Sequence, residues 1–147
     1  PTASGKTKFA IDLAKRINAE IITADSRTVY KSLNIGTAKP TELEKGGIKH
    51  WGIDLINPNQ RYSANEFKKY ALAKIKDIKS RDKAVIIVGG TGLYIDSVIY
   101  DYSFVEPNKV LIDSLNLKSI EELQQIILDK NIKKIFRTSL LNFKFFP

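Results

Sequence analysis

Three short stretches carry residues that could do chemistry. The first is Pro1-Thr2-Ala3-Ser4-Gly5-Lys6-Thr7, which supplies the last seven positions of the phosphate-loop pattern G-x-x-x-x-G-K-[ST]. In such a loop Gly5 lets backbone N–H groups approach phosphate oxygens. Lys6 brings a point charge, and Thr7 offers a hydroxyl to a magnesium ion. A helix starting there adds the positive end of its dipole. The second stretch is Asp25-Ser26 and the third is Gly89-Gly90-Thr91-Gly92. A carboxylate such as Asp25 can act as a base or as an outer metal ligand. Glycines let a backbone approach a ligand closely, and Thr91 adds a hydroxyl. Each stretch also has a plainer reading. Ser-Gly-Lys-Thr can be a chance turn before a helix, Asp-Ser a cap, and Gly-Gly a tight turn.

The elements needed to position these residues are visible in the pattern. Phe9, Ala10, Leu13, Ala14 and Ile17 fall on one helical face just after the loop. Glu20 to Ala24 is a short β-branched run of strand length, ending at Asp25. Residues 31–61 have no sustained period and are broken by Gly36, Pro40, Gly46-Gly47, Gly52 and Pro58, which predicts mainly loops with short elements. Ser63, with Glu66 three residues on, predicts a capped helix to about Ser80, with Phe67, Ala71, Ile75 and Ile78 inward. Ala84 to Val88 reads as a buried parallel strand, and Leu93 to about Tyr100 as a helix. Pro107 marks a change of character, and Ser119 to Lys130 reads as a further helix. The tail Phe143 to Pro147 is apolar. The expectation is an α/β chain in which Asp25 and Gly89–Gly92 lie beyond the carboxyl ends of parallel strands, where such sheets bind ligands.

Composition bounds the function. The 147 residues contain 43% hydrophobic residues, enough for a core. No cysteine is present, which excludes disulfides, a thiolate zinc site and a cysteine nucleophile. The single histidine, His50, argues against a histidine-based metal cluster. It is read as a packed partner of Trp51, with Tyr62 and Phe67 as core residues. No apolar run reaches the length of a membrane span, and no signal-peptide pattern is seen. Net charge is +8, from 24 basic and 16 acidic residues, and residues 1–100 carry +7 of it. That excess suits a polyanionic partner, although solvated surface lysines would look the same.

Ordered blocks then make a specific likeness. Pro1 to Thr7, Ala24-Asp25-Ser26 with Val29-Tyr30, and Asn34 to Pro40 are followed by His50 to Asp54, Tyr62-Ser63-Ala64 with Phe67, and Val88 to Tyr94. Over about residues 1–100 the chain resembles the tRNA dimethylallyltransferase (tRNA isopentenyltransferase) family. The resemblance implies a P-loop NTPase-like parallel sheet flanked by helices, and transfer of a dimethylallyl group from dimethylallyl diphosphate to N6 of the adenine at position 37, next to the tRNA anticodon. It implies that Pro1, Thr2, Ala3, Ser4, Gly5, Lys6 and Thr7 bind the diphosphate, with Mg²⁺ at Thr7. It gives catalytic roles to Asp25 as base, to Lys6 and to Thr91, and tRNA contacts to Asp25, Ser26, Arg27, Thr28 and Thr91. An ordinary P-loop NTPase carries an acidic residue after the hydrophobic strand. Here Gly89 stands there, which suits a loop holding a diphosphate leaving group.

The family has a first strand and loop glycine ahead of Pro1 and continues well beyond this length. The resemblance therefore implies an N-terminally truncated fragment: a catalytic core over 1–105 and the start of a helical tRNA-binding part over 106–147. A cytoplasmic monomer without membrane contact is expected. The competing readings are a small-molecule P-loop kinase and an inactive tRNA-binding remnant.

Overall fold

The computed structural model describes residues 5–37, 39–105 and 108–130. The chain divides into two compact units, Pro1–Phe104 and Val105–Pro147.

The first unit is built on three parallel strands. β1 (Ala19–Thr23) lies in the middle, with β2 (His50–Trp51) on one side and β3 (Ala84–Val88) on the other. Five residues of β1 pair in register with five of β3, from Ala19 opposite Ala84 to Thr23 opposite Val88. Alternation of side chains across β1 splits the core into two layers. Ala19 and Ile21 face α1 (Lys6–Arg16), where they pack with Ala10, Ile11 and Ala14. Ile22 and Ala24 face α3 (Ala64–Lys79) and α4 (Gly92–Ile99), where they meet Phe67, Ala71, Ile78 and Tyr94. β3 divides its residues the same way: Ala84, Ile86 and Val88 toward the α1 layer, Val85 and Ile87 toward α3.

The helices start where the local chemistry predicts. Ser63 accepts a hydrogen bond from the Glu66 N–H, and the Glu66 carboxylate accepts one from the Ser63 N–H at 2.6 Å, closing a capping box at the head of α3. Phe67, at the first inward position, is fully buried and stacks on Tyr94 with ring centroids 4.4 Å apart. Ile75 is half-buried against the same cluster, so the expected inner face of α3 is observed.

β3 differs from its expectation. It is parallel as predicted, but each of its residues is only half-buried. Among the described residues it pairs on one side alone, with β1, so its other edge has no strand against it. Residues 31–61 do hold short elements: the four-residue α2 (Glu42–Lys45), with its own Thr41–Glu44 capping box, and β2.

In the second unit, α5 (Lys109–Asn116) begins at Asn108, whose side chain accepts from the Leu111 N–H. α6 (Ile120–Asp129) falls in the stretch the sequence predicts to be helical, and begins at Ser119 with a Glu122 capping box. The apolar tail from Phe143 lies outside the described residues.

Candidate functional site

α1 is joined to β1 by only two residues, Ile17 and Asn18. Eleven helical residues rise about 16 Å and five strand residues span about the same. The N-terminus of α1 is therefore level with the carboxyl end of β1. α4 starts just after β3, so its N-terminus lies at the same edge. Gly5 occupies the N-cap of α1 with φ 74°, a left-handed conformation in which a side chain is strained. Lys6 and Thr7 open the helix, both exposed. Pro1 to Ser4 lie outside the described residues.

Asp25 leaves the carboxyl end of β1 in a tight turn. Its Oδ1 accepts from the Arg27 N–H at 2.9 Å, and its carbonyl accepts from the Thr28 hydroxyl at 3.2 Å. The loop after β3 is fastened to this turn. The Thr91 N–H donates to the Ala24 carbonyl at 3.0 Å. The Thr91 hydroxyl accepts from the Ser26 N–H at 2.9 Å and faces Ser26 Oγ at 3.2 Å. So the structure joins the adjacent Asp25 and Ser26 to Thr91, 65 or more residues further along the sequence.

Gly89 makes this junction possible by size. A Cβ there would sit 2.0 Å from the Ala24 carbonyl oxygen, a backbone atom that cannot step aside. At Gly90 a Cβ would lie 3.0 Å from Asp25 Oδ2, so this carboxylate oxygen rests directly over the loop.

Of the expected site residues, Thr28 faces inward and Thr91 is half-buried. Thr28 is 3% exposed, and its hydroxyl bonds to the Asp25 carbonyl. It shapes the turn and presents no surface to RNA. The Thr91 hydroxyl likewise meets Ser26 and ties two loops together. Beneath the turn lies Tyr94, 4% exposed, whose hydroxyl donates to the Tyr62 carbonyl. Burial first, then the nearby Tyr30, Glu66 and Asp25, push its phenol above the ordinary range, so Tyr94 stays protonated.

His50 bonds to the backbone through one ring nitrogen, while its Nε2 is buried with no hydrogen-bond partner among the described residues. Its Nδ1 lies 2.8 Å from the Ile48 carbonyl, and burial holds the imidazole below its ordinary pKa. Trp51 donates to Glu20 and has the ammonium groups of Lys49 and Lys74 at 4.3 and 4.0 Å from its ring centroid. Tyr62 packs against the core edge-on to Tyr94.

A cavity of about 580 Å³ opens between α1 (Thr7, Ile11, Lys15) and the segment Lys39–Gly46. Thr7 lines it; Asp25 and Thr91 do not. Among the described residues, no cluster of three or more His, Cys, Asp or Glu could hold a metal, and no helix is long and apolar enough to cross a membrane.

Sequence reasoning missed Lys39 and Asp54. Lys39 Nζ reaches the Tyr30 carbonyl at 2.6 Å, Asn34 Oδ1 at 3.3 Å and Asp54 Oδ1 at 2.6 Å. Both lie in the ordered blocks Asn34 to Pro40 and His50 to Asp54, but nothing in those blocks announces that the two side chains meet across 15 residues.

The family model described as IPP transferase matches residues 28–139. A tRNA dimethylallyltransferase of Staphylococcus haemolyticus is 52% identical over 130 residues, which cover 88% of this chain and 37% of that protein. The solved tRNA delta(2)-isopentenylpyrophosphate transferase of Staphylococcus epidermidis is 49% identical, with a TM-score of 0.67 over 82% of this chain and 40% of that one. A eukaryotic dimethylallyltransferase acting on tRNA is 27% identical, with a TM-score of 0.76 over 87% of this chain and 33% of that one. The chain thus spans well under half the length of these relatives. The α/β sheet is that of a P-loop NTPase-like fold. With the family model matching most of its residues and the tRNA isopentenyltransferases sharing its fold, this chain belongs to the IPP transferase family.

Proposed function

We propose that this chain carries the core of a tRNA dimethylallyltransferase, which moves a dimethylallyl group from dimethylallyl diphosphate to N6 of the adenine at position 37, beside the anticodon. The observation that carries this reading is the junction of the Asp25 turn with the Gly89–Thr91 loop, at the edge where α1 begins. It puts a carboxylate at the sheet edge that also receives the N-terminus of α1.

The roles follow from the chemistry. The adenine amine is a poor nucleophile because its lone pair is delocalised into the ring. As the new C–N bond forms, Asp25 takes the amine proton, an effect of order 10²–10⁴ in rate. The allylic C–O bond breaks and its electron pair leaves with the diphosphate. Pro1 to Thr7 hold that group, and Lys6 with the backbone N–H groups offsets its growing charge. Thr7 is exposed at the start of α1, where its hydroxyl could serve as one ligand. That suits Mg²⁺, which takes most of its ligands from substrate phosphates and water. When bound, the ion supplies further positive charge to the leaving group. Thr91 sets the turn that aims Asp25. Ser26 and Arg27, both exposed, contact the RNA around the base. The base leaves its stack to enter the pocket, which is easiest in a single-stranded loop. The basic excess over residues 1–100 supports contact with the tRNA backbone. The enzyme acts as a monomer in the cytoplasm, where its tRNA substrate is found.

Calorimetric titration tests the donor directly. Dimethylallyl diphosphate is expected to bind, with affinity lowered at least tenfold by Lys6→Ala. Binding of ATP with none of the prenyl donor would point to a P-loop kinase instead.

A further inference from the structure

The turn that bears Asp25 continues into an arm, residues 26–31, that belongs to no strand or helix. Two sets of bonds hold its far end. One is a short parallel bridge to residues 54–56. There the Asp54 N–H donates to the Thr28 carbonyl at 3.0 Å, Leu55 to Val29 at 2.7 Å, and the Lys31 N–H to Ile56 at 2.8 Å. The other is the Lys39 ammonium. A lysine has three donors, and here each has an acceptor on a different segment: the Tyr30 carbonyl in the arm, Asn34 in the loop beyond it, and Asp54 on the bridging strand. The Lys39 side chain is 7% exposed, against 47% for Asp54. Asp54 itself sits at φ 54°, a left-handed conformation that costs energy and is held by its surroundings.

A buried ammonium with every donor used is a joint and not a solvated surface charge. All three segments it ties lie outside regular elements, and two of them lie beyond the carboxyl ends of β1 and β2. We infer that Lys39 is a positioning residue: its ammonium locks the arm and the bridging strand together, and so fixes the orientation of the Asp25 carboxylate five residues upstream of Tyr30. This rests on the base role proposed for Asp25. It adds that the base is aimed from both ends of its arm, by Thr91 near the turn and by Lys39 at the far end.

The test is amide hydrogen exchange and side-chain couplings by NMR on the 147-residue chain. In Lys39→Met, a near-isosteric change that removes all three donors, exchange at the Arg27, Lys31, Asp54 and Leu55 amides is expected to rise at least tenfold. The Ile21 amide inside the sheet keeps its rate, and the Asp25 side chain goes from one rotamer to an average of several. Asp54→Asn keeps an acceptor and tolerates the left-handed backbone, and should raise the same four rates about threefold. This second variant decides the question if the methionine variant does not fold. Unchanged rates in the arm, a uniform rise that includes Ile21, or an Asp25 rotamer that does not move would overturn the inference. The readout needs neither donor nor tRNA. A lack of prenyl transfer by the unmodified chain would therefore count against the proposed function and not against the joint.

Discussion

Three glycines between the end of β3 and the start of α4 make different demands, and alanine substitution separates them. At Gly89 a Cβ would lie 2.0 Å from the Ala24 oxygen, 2.3 Å from its carbonyl carbon and 2.8 Å from its Cα. Relief requires opening the β1–β3 loop junction by more than about 1 Å, because ordinary carbon–oxygen contacts begin at roughly 3.3 Å. Three hydrogen bonds hold that junction: Ala24 to Val88 at 2.8 Å, Thr91 to Ala24 at 3.0 Å and Ser26 to Thr91 at 2.9 Å. At about 1 kcal/mol each, Gly89→Ala should destabilise the chain by about 3 kcal/mol. At Gly90 the Cβ meets only the end of the Asp25 side chain, at 3.0 Å. Gly90→Ala should therefore change stability by less than about 1 kcal/mol while displacing the carboxylate and lowering transfer activity. Gly92 has nothing within 4 Å of its Cβ and opens α4. There alanine should be neutral, or stabilising by up to about 1 kcal/mol, because it loses less backbone entropy than glycine in a helix. Urea denaturation of the three variants gives the ranking. A Gly89→Ala protein within about 0.5 kcal/mol of the parent would refute the steric argument, and so would a Gly92→Ala protein less stable than Gly89→Ala.

Two further outcomes follow from the structure. Glu20, 1% exposed, accepts hydrogen bonds from Arg81, Trp51 and Lys83, and Arg81 does most to lower its pKa from 4.5 to about 2. A lowered carboxylate pKa gives stability that is present above pH 4.5 and lost as pH falls toward 2. The contribution is about 3 kcal/mol, so Glu20→Gln should flatten the acid limb of a stability–pH profile, and an unchanged limb would rule the network out as its cause. Ser63→Ala removes the capping box of α3 and should lower stability by about 1 kcal/mol by chemical denaturation, with Phe67 still stacked on Tyr94.

Local chemistry was the legible part of this sequence. Ser63 with Glu66 announced one helix, because a capping box lies within four residues, and the apolar period over Ser119 to Lys130 announced another, whose Ser119–Glu122 box was not read in advance. α5 passed unseen: its cap, Asn108, sits just after a proline that signals only a break. β2 is two residues long and exists because β1 lies beside it, with the Ile21 N–H donating to the Lys49 carbonyl at 2.9 Å. No local pattern encodes such a strand. Asp25 and Gly89–Thr91 could be assigned to one edge because parallel α/β sheets gather their strand ends there. Which atoms would meet could not be read. The Thr91 hydroxyl on Ser26, the inward Thr28 and the Lys39–Asp54 joint depend on backbone paths through loops. The half-burial of β3 depends on what pairs with its outer edge, which hydropathy alone does not disclose.

In the proposed reaction Asp25, held at the junction of the two loops, takes the proton in dimethylallyl transfer. The most direct measurement is the rate at which dimethylallyladenosine appears in tRNA incubated with dimethylallyl diphosphate and either the parent protein or Asp25→Asn, read by mass spectrometry of digested nucleosides. The parent is predicted to form the product, and the variant to form it about 10²–10⁴ times more slowly while still binding the donor. Equal rates from the two proteins, or no dimethylallyladenosine from the parent, would contradict the claim.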